Sequence, residues 1–230
     1  MKAVILAGGF GKRLKPLTDD RPKPLVEVLG KPILEWQLKW LRSHGITDII
    51  ICTGYKKEMI MNYVGSGSKF DVNVKYAVEE EPLGTGGALK NTASLISKGG
   101  PVLALNGDIL TDFNPAALTT IIDDDTLGSI AVVPLKSPFG IVDFSQDTVI
   151  SGFREKPLLK EYWINAGVYC LSSDVFNYLP DKGNVENTAF PKLANEGRLK
   201  AVKYLDSLWK SIDTHKDIEE VNKEFNALTE

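Results

Sequence analysis

The chain has 230 residues, of which 43% are hydrophobic and 25% charged, and its formal net charge is −3. This length allows one large α/β domain, and the composition is that of an ordinary globular protein. The slight negative charge gives no indication of a nucleic-acid partner. No apolar run approaches the roughly 20 residues of a membrane span, so no membrane association is expected.

Two cysteines, Cys52 and Cys170, each lie inside an apolar run and are interpreted as buried core residues. A disulfide framework would need more cysteines in a shorter chain. The residues before the first glycine pair are too few for the apolar region of a signal peptide. These features favour a reducing, cytoplasmic location.

Apolar runs alternate with helical periodicity through the first half of the chain. The predicted strands are Val4–Leu6, Asp48–Thr53, Val72–Val78, Pro101–Leu105 and Ser129–Pro134. The predicted helices are a segment between Pro32 and Gly45, then Lys57–Val64, Ala88–Ile96 and Ala116–Ile122. This alternation predicts an α/β fold with a mostly parallel sheet that helices cover on both faces.

After about Ser137 the elements become shorter. The predicted strands are Phe139–Phe144, Val149–Phe153, Trp163–Leu171, Lys200–Tyr204 and Leu208–Ile212, and the predicted helices are Ser173–Tyr178, Thr188–Glu196 and Lys216–Phe225. No linker, repeat or low-complexity tract separates the two halves. Residues 1–230 are therefore predicted to form a single domain, whose second half binds an acceptor.

A glycine loop follows the first predicted strand, in the sequence LAGGFGKR from Leu6 to Arg13. Its three glycines let the backbone approach a phosphate and present N–H groups to it, and Arg13 can pair with phosphate oxygens in a bidentate manner. The loop is not a Walker loop, because Leu6 stands where the first glycine belongs and Arg13 follows Lys12. It is not a dinucleotide fingerprint either, because Leu14 replaces the third glycine. An ordinary strand-to-helix turn remains the alternative.

A stiff basic segment comes next. Lys23 lies between Pro22 and Pro24, which restrict the backbone on both sides of it. A solvated surface lysine is the alternative interpretation. Further along, Asp108 ends a buried strand, where open α/β sheets place ligands, although a turn or helix cap would also explain it. Asp213 is open to interpretation as the N-cap of the last helix.

The stretch LAGGFGKRLKPLTDDRPKPL, Leu6 to Leu25, resembles the N-terminal motif of the sugar-phosphate nucleotidyltransferases, also called nucleotide-sugar pyrophosphorylases. Within that family the chain is most similar to mannose 1-phosphate and heptose 1-phosphate guanylyltransferases, and the likeness extends to about Glu220. One departure is Lys12, where the family most often has Thr or Ser. The resemblance implies the nucleotide-diphospho-sugar transferase fold, a Rossmann-like three-layer sandwich with a mostly parallel mixed sheet.

The resemblance also implies an activity: an enzyme that joins a nucleoside triphosphate to a sugar 1-phosphate and releases pyrophosphate, with Mg²⁺ as cofactor. GTP and mannose 1-phosphate or a manno-heptose 1-phosphate are the favoured substrates. Residues 1–135 would form the nucleotide-binding half and residues 136–230 the sugar-phosphate-binding half. Cytidylyl, uridylyl or thymidylyl transfer, a phosphocholine-like acceptor and a non-catalytic regulatory subunit stay open, as does a homo-oligomer.

The family's functional residues can be carried over position by position. Arg13 would bind the triphosphate, Lys23 would contact the α-phosphate, and Asp108 and Asp213 would hold Mg²⁺. Nucleotide contacts are implied for Leu6, Ala7, Gly8, Gly9, Gly11, Lys12, Glu80, Gly86 and Gly87. Sugar-phosphate contacts are implied for Gly140, Glu155, Lys156, Asn165, Gly167 and Glu186.

Overall fold

A twisted sheet with helices around it is the central feature of the structure, a computed structural model that describes residues 1–96 and 100–224. The strands are β1 (Lys2–Leu6), β2 (Glu27–Val28), β3 (Lys31–Pro32), β4 (Asp48–Thr53), β5 (Asn73–Val78), β6 (Val102–Asn106), β7 (Ile109–Thr111), β8 (Gly128–Lys136), β9 (Ile141–Gln146), β10 (Val149–Arg154), β11 (Leu158–Leu171), β12 (Leu199–Lys203) and β13 (Trp209–Ser211). The helices are α1 (Leu17–Asp20), α2 (Ile33–Ser43), α3 (Lys57–Val64), α4 (Gly84–Asn91), α5 (Ala116–Thr120), α6 (Ala189–Asn195) and α7 (His215–Glu224).

Seven strands of the described chain form the main sheet, in the order β12-β8-β11-β6-β1-β4-β5. The pairs β1–β4, β1–β6, β4–β5 and β8–β12 are parallel. β11 runs antiparallel to both of its neighbours, β6 and β8. The sheet is therefore mixed and mostly parallel, as the alternation of elements predicts.

Alternating side chains along each central strand build two separate layers of core. On β1, Ala3 and Ile5 join one buried cluster, and Val4 joins the other. On β4, Ile49 and Ile51 likewise lie in the first cluster, while Ile50 lies in the second. Because successive side chains of a strand point to opposite faces, the sheet is covered on both sides and the fold has three layers.

Most of the predicted helices and strands are present in the structure, although their first or last residues differ from the prediction. The predictions for β4 and α3 match the structure residue by residue. The predicted helix Ser173–Tyr178 is instead a 3₁₀ segment, Ser173–Asn177. The last helix runs from His215 to Glu224, and its predicted final residue, Phe225, lies outside the described residues.

The main difference concerns α4, which begins at Gly84 rather than at Ala88 and ends at Asn91. Three glycines in its first turn disfavour a helix. The structure shows what offsets that preference: a Cβ on Gly86 would lie 2.9 Å from Pro180, and one on Gly87 would lie 2.6 Å from the Asp181 carbonyl oxygen. Close packing against this neighbouring loop therefore requires glycine in the turn.

The two cysteines lie in the interior, as the apolar runs around them predict. Cys52 and Cys170 are buried, free thiols, and burial raises the pKa of Cys170 to about 12. Among the described residues, no helix has both the length and the apolar character needed to cross a membrane.

A pair of leucine substitutions tests which strands support the core. Leu103 on β6 is fully buried, so Leu103→Ala should lower the free energy of unfolding by about 2–5 kcal/mol through lost burial and the cavity left behind. Leu158 on β11 is 48% exposed, and Leu158→Ala should cost far less. Urea denaturation of both variants measures the difference. Equal losses would contradict the placement of β6 at the centre of the sheet.

Candidate active site

The carboxyl ends of four parallel strands meet at one edge of the sheet. In the strand register Leu6 of β1 lies beside Cys52 of β4 and Asn106 of β6, and Val78 of β5 lies beside Thr53 of β4. The glycine loop, Glu79 and the Asn106–Asp108 turn follow directly on these ends. Ligands of open α/β sheets bind in this position.

A cleft of about 400 Å³ opens at this edge. The lining residues are Leu6, Ala7, Gly8, Gly9, Phe10, Gly11, Lys12, Arg13, Lys23, Pro24, Glu79, Pro82, Gly84, Thr85, Ala88, Asn106, Gly107, Asp108, Asn184 and Asp213. All the residues that the sequence assigns to the glycine loop, to catalysis and to the metal therefore lie around one cavity.

Lys23 is a largely buried charge of the cleft. Its ammonium nitrogen lies 2.6 Å from Asp108 Oδ2 and 2.7 Å from Asp213 Oδ1, and its side chain is 14% exposed. The backbone around Lys23 forms a 3₁₀ turn in which Pro24 and Leu25 are buried. Lys23 is therefore a fixed cation shared by two carboxylates, not a solvated surface lysine.

The glycine loop and the Lys23 turn are packed directly against each other. Gly11 has φ +61°, and a Cβ at this position would lie 2.9 Å from the Cβ of Lys23 and 2.9 Å from Thr18. The Thr18 hydroxyl also donates a hydrogen bond to the Gly11 carbonyl oxygen at 2.9 Å. Gly11 is required both for its left-handed conformation and for the space it leaves to Lys23.

Strand pairing brings Asp213 to Asp108. β13 pairs antiparallel with β7, which places Ser211 opposite Ile109, and the Ile212 amide donates to the Asp108 carbonyl oxygen at 2.9 Å. Asp213, which follows Ile212, is therefore held beside Asp108, which precedes Ile109.

Asp213 is not the N-cap of the last helix, because Thr214 stands directly before its first residue, His215. The carboxylate of Asp217 accepts hydrogen bonds from the amides of Asp213 and Thr214, and the Asp217 amide donates back to the Thr214 hydroxyl. This reciprocal arrangement is a capping box. It satisfies the helix start and leaves the Asp213 carboxylate directed at the cleft.

The cations control the ionisation of Asp213. Burial alone would raise the pKa of Asp213, but the hydrogen bond and charge of Lys23, together with the charge of Arg13, hold that pKa below its usual range. The guanidinium of Arg13 lies 2.8 Å from Asp213 Oδ1 and its side chain is 72% exposed. Arg13 thus extends from the carboxylate pair into the open part of the cleft.

Glu79, rather than the predicted Glu80, lines the cleft. Glu80 points outward, is 84% exposed and pairs with Lys57 at 3.0 Å. Glu79 directly follows β5, and its Oε2 accepts a hydrogen bond from the Leu83 amide at 3.2 Å. A Cβ on Gly8 would lie 2.5 Å from Glu79 Oε1, so the carboxylate rests against the glycine loop. Burial raises the pKa of Glu79.

Gly86 and Gly87 lie behind the wall of the cleft. Both amides donate to the Gly183 carbonyl oxygen, at 2.9 and 3.2 Å, so they are not free helix-start N–H groups for a nucleobase. From this segment, Gly84, Thr85 and Ala88 line the cleft instead. The sequence pattern indicates a glycine-rich wall, but only packing determines which of its residues face inward.

A hydrogen-bond network supports the same wall from the other half of the chain. Asn165 donates to the Tyr169 hydroxyl at 2.9 Å and accepts from the Gly167 amide at 2.8 Å. Tyr169 in turn donates to Glu186 at 3.4 Å, and Glu186 accepts from the Thr85 hydroxyl at 2.6 Å. The predicted residues Asn165, Gly167 and Glu186 therefore belong to one network that reaches the cleft at Thr85.

The antiparallel direction of β11 explains this position. Since Val168 lies opposite Leu105, the residues before Val168 lie beyond the carboxyl end of β6. A Cβ on Gly167 would lie 2.9 Å from the side-chain nitrogen of Asn106. Asn106 Oδ1, at the cleft, is buried and has no hydrogen-bond partner within residues 1–96 and 100–224.

The remaining predicted acceptor residues form a second group beside the β9–β10 hairpin. A Cβ on Gly140 would lie 3.0 Å from Glu155 Oε2, and Glu155 pairs with Lys156 at 3.4 Å. Both charged side chains are largely exposed. Lys156 has φ 43°, a left-handed conformation that is uncommon for lysine. These residues do not line the cleft.

Sequence reasoning assigned no individual binding role to several of the residues that line the cleft. They are Phe10, Pro24, Glu79, Pro82, Gly84, Thr85, Ala88, Asn106, Gly107 and Asn184. Glu79 and Asn106 had an available signal, because each stands at the carboxyl end of a predicted strand, as Asp108 does. Asn184 comes from a distant loop and had none.

The fold and the cleft define an open α/β protein whose strand ends carry a glycine loop, fixed cations and paired carboxylates. The chain belongs to the nucleotidyl transferase family, since the family model described as "Nucleotidyl transferase" matches residues 2–227. It is 34% identical over 228 residues to mannose-1-phosphate guanyltransferase 2 of Candida glabrata, with 94% of this chain and 62% of that protein covered. The chain thus spans less than two thirds of the length of that relative.

Two further relatives are similar over more of their own length. A D-glycero-alpha-D-manno-heptose 1-phosphate guanylyltransferase of Campylobacter jejuni is 35% identical over 179 residues, which cover 77% of this chain and 78% of that protein. The crystal structure of HddC from Yersinia pseudotuberculosis complexed with GMP-PN superimposes with a TM-score of 0.78 at 30% identity, covering 98% of this chain and 99% of that chain.

The environment of Glu79 predicts a pH-dependent stability. Because its pKa is raised above the usual 4.5, the folded protein binds this proton more tightly than the unfolded chain does. Stability is therefore lost as the pH rises from 4.5 through the raised pKa. Glu79→Gln should be more stable than the wild type at about pH 8, and the difference should shrink at about pH 4.

Urea denaturation of both proteins across this pH range measures the effect. Glu80→Gln is the matched control, since it removes only an exposed ion pair with Lys57, worth less than about 1 kcal/mol. A gain from Glu79→Gln that does not change with pH would contradict the assigned cause.

Proposed function

We propose that the chain transfers a nucleotidyl group from a nucleoside triphosphate to a sugar 1-phosphate and releases pyrophosphate. The observation that carries this proposal is the convergence of Arg13, Lys23, Asp108 and Asp213 on a cleft built from a glycine loop. Cations and backbone amides suit a triphosphate, and paired carboxylates suit a metal that accompanies it. The names of the relatives support the same reaction.

In this mechanism an oxygen of the sugar phosphate attacks the α-phosphorus of the nucleotide. A new P–O bond forms there, while the bond from the α-phosphorus to the oxygen bridging to the β-phosphorus breaks, and that oxygen keeps the electron pair in the leaving pyrophosphate. A phosphate oxygen is already ionised at neutral pH, so no strong general base is required. The protein contributes positioning and charge stabilisation.

The side chains divide these tasks by their positions. Arg13, exposed toward the open cleft, binds the outer phosphates and stabilises the charge of the leaving group. Lys23, held close to the protein core, contacts the α-phosphate. The glycine loop supplies amides and leaves space for the phosphates.

Asp108 and Asp213 fit a magnesium ion. Both carboxylates already contact one cationic nitrogen, and two carboxylates with phosphate oxygens and water form a typical magnesium shell. Asp108 and Asp213 would hold the ion, and when bound it would neutralise phosphate charge. No cluster of three or more His, Cys, Asp or Glu suited to a metal occurs in the described part of the chain, so the substrate would complete the shell.

GTP is the proposed nucleotide, and Glu79 supports this choice on chemical grounds. An ionised carboxylate only accepts hydrogen bonds. Beside its O6 acceptor, the pairing edge of guanine presents two adjacent donors, N1–H and the N2 amino group, whereas no two adjacent donors occur on the pairing edges of adenine, cytosine and uracil. Glu79 lies in the wall of the cleft, which Pro82 and Gly84 also line and where a base can lie against the backbone.

The acceptor is proposed to be mannose 1-phosphate or a manno-heptose 1-phosphate. Asn106 lines the cleft and its buried Oδ1 has no hydrogen-bond partner in the described chain, so we propose that its amide turns to accept a hydrogen bond from a sugar hydroxyl. Glu155 and Lys156, outside the cleft, remain proposed contacts to the acceptor. We also place the reaction in the cytoplasm, where both buried thiols stay reduced.

Pyrophosphate release tests the reaction. The protein should be incubated with Mg²⁺, with each of GTP, CTP, UTP, dTTP and ATP, and with a panel of sugar 1-phosphates. Release is expected with GTP and a manno-configured sugar 1-phosphate together, and a chelator should abolish it. Folded protein that releases no pyrophosphate with any pair would overturn the proposal.

Lys23→Ala should reduce kcat by roughly 10²–10³-fold, the typical effect of removing one preorganised charge-stabilising donor. It also leaves Asp108 and Asp213 without their shared cation, so circular dichroism must confirm the fold. Lys200→Ala is the matched control, because Lys200 is an exposed lysine that pairs with Asp123 at 3.5 Å, away from the cleft. Turnover that is unchanged in Lys23→Ala would remove Lys23 from the mechanism.

Glu79→Gln should lower the preference for GTP over UTP by about tenfold or more, because glutamine offers one donor and one acceptor in place of two acceptors. Wild-type protein should also bind ITP, which lacks the N2 amino group, more weakly than GTP. Titration calorimetry measures both effects without turnover. Equal binding of GTP and ITP, with no loss of GTP preference in Glu79→Gln, would show that Glu79 does not recognise the base.

A further inference from the structure

The hairpin formed by β9 and β10 stands apart from the main sheet. It is a separate two-stranded sheet, and neither strand pairs with a third strand among the described residues. Isolated two-stranded hairpins are marginally stable in water, and unpaired strand edges readily pair with other chains. The hairpin therefore has backbone groups without a strand partner, and further packing contacts would stabilise it.

One face of this hairpin is apolar. Phe144 lies directly opposite Ile150, and Val142 lies directly opposite Phe153. Since Val142 and Phe144 are two residues apart on one strand, all four side chains share a face. Phe144 and Ile150 are each 60% exposed and Phe153 is 65% exposed. We call these four residues the apolar hairpin face.

The opposite face carries the charged side chains of the hairpin, and these charges are neutralised locally. Asp143 and Arg154 form an ion pair at 3.2 Å, Gly152 lies opposite Asp143, and Ile141 lies opposite Arg154. A bulge at Ser151 keeps the two faces in this arrangement, because the register shifts between Ile150 and Gly152. The hairpin thus keeps its charged side chains off the apolar hairpin face.

We propose that the apolar hairpin face is a dimerisation surface that packs against the same face of a second copy of this chain. Phe144, Ile150 and Phe153 together present on the order of 400 Å² of apolar surface. Each partner in a standard interface contributes about 800 Å², so this face supplies about half of that share.

A second copy fits this face better than other partners do. The four side chains carry no charge, so two identical faces meet without like-charge repulsion. A two-fold arrangement is the commonest symmetry of homo-oligomers, and it places the same face of both copies in contact. The face has no lysine or arginine that would favour an anionic membrane surface, because Arg154 belongs to the opposite face.

The dimer would also support the proposed acceptor residues. A Cβ on Gly140 would lie 2.7 Å from the ring of Phe153 and 3.0 Å from Glu155 Oε2, so this end of the face is continuous with Gly140 and Glu155. Covering Phe153 would fix its ring against Gly140. This consequence rests on the proposed function, whereas the dimer itself does not.

Sedimentation equilibrium of the full chain, from about 1 to about 100 μM, tests the inference. The wild type should dimerise within this range, and Phe144→Glu should raise the dimer Kd by more than about tenfold, because it buries two unpaired carboxylates. Ser145→Glu is the matched control: it adds the same charge at the next position, on the opposite face, and should leave the dimer Kd unchanged.

Circular dichroism and thermal unfolding of the monomer should be unaltered in Phe144→Glu, since the side chain is mostly exposed. A wild type that stays monomeric throughout would overturn the inference. Association that Phe144→Glu and Ser145→Glu leave equally strong, or weaken equally, would also overturn it. These readouts do not depend on catalysis, so they remain informative if the proposed reaction fails.

Discussion

The shared contact of Lys23 with Asp108 and Asp213 is the interaction on which the site depends. The three residues are 85 and 190 positions apart in sequence, yet both carboxylates lie within 2.7 Å of one nitrogen. Two partly buried carboxylates side by side repel each other, and the ammonium group between them offsets that repulsion. Charge balance therefore determines how the first, middle and last parts of the chain must meet.

Much of the surrounding structure satisfies this requirement. The pairing of β7 with β13 places Asp213 next to Asp108, and the capping box of Asp217 and Thr214 takes over the helix amides that Asp213 would otherwise serve. On the other side, the left-handed Gly11 leaves room for Lys23. Loss of any one of these supports would leave a buried charge without its partner, which costs more than an exposed ion pair contributes.

The sequence reveals those parts of the molecule that depend on local patterns. Apolar runs and helical periodicity located β4 and α3 to the residue, and the prolines beside Lys23 indicated a fixed lysine. Contacts between distant segments are not encoded in this way. The first turn of α4 is helical because Gly86 and Gly87 pack against residues 180–183, which overrides their low helix propensity. Glu79 and Glu80 differ only in the face of the strand end from which they project, and no local pattern separates two adjacent glutamates.

The residues proposed to bind the nucleotide and those proposed to bind the acceptor differ in the structural support they receive. This difference explains why the acceptor is harder to infer than the nucleotide. The glycine loop, Glu79 and Asp108 follow buried parallel strands whose register fixes their positions. Glu155 and Lys156 follow an exposed hairpin, and their positions depend on whatever holds that hairpin in place. A residue on a buried strand end can be assigned from sequence once the strand is known. A residue on a weakly supported hairpin is positioned by the surface against which the hairpin packs, so the proposed acceptor role of Glu155 and Lys156 depends on the packing of Phe144, Ile150 and Phe153.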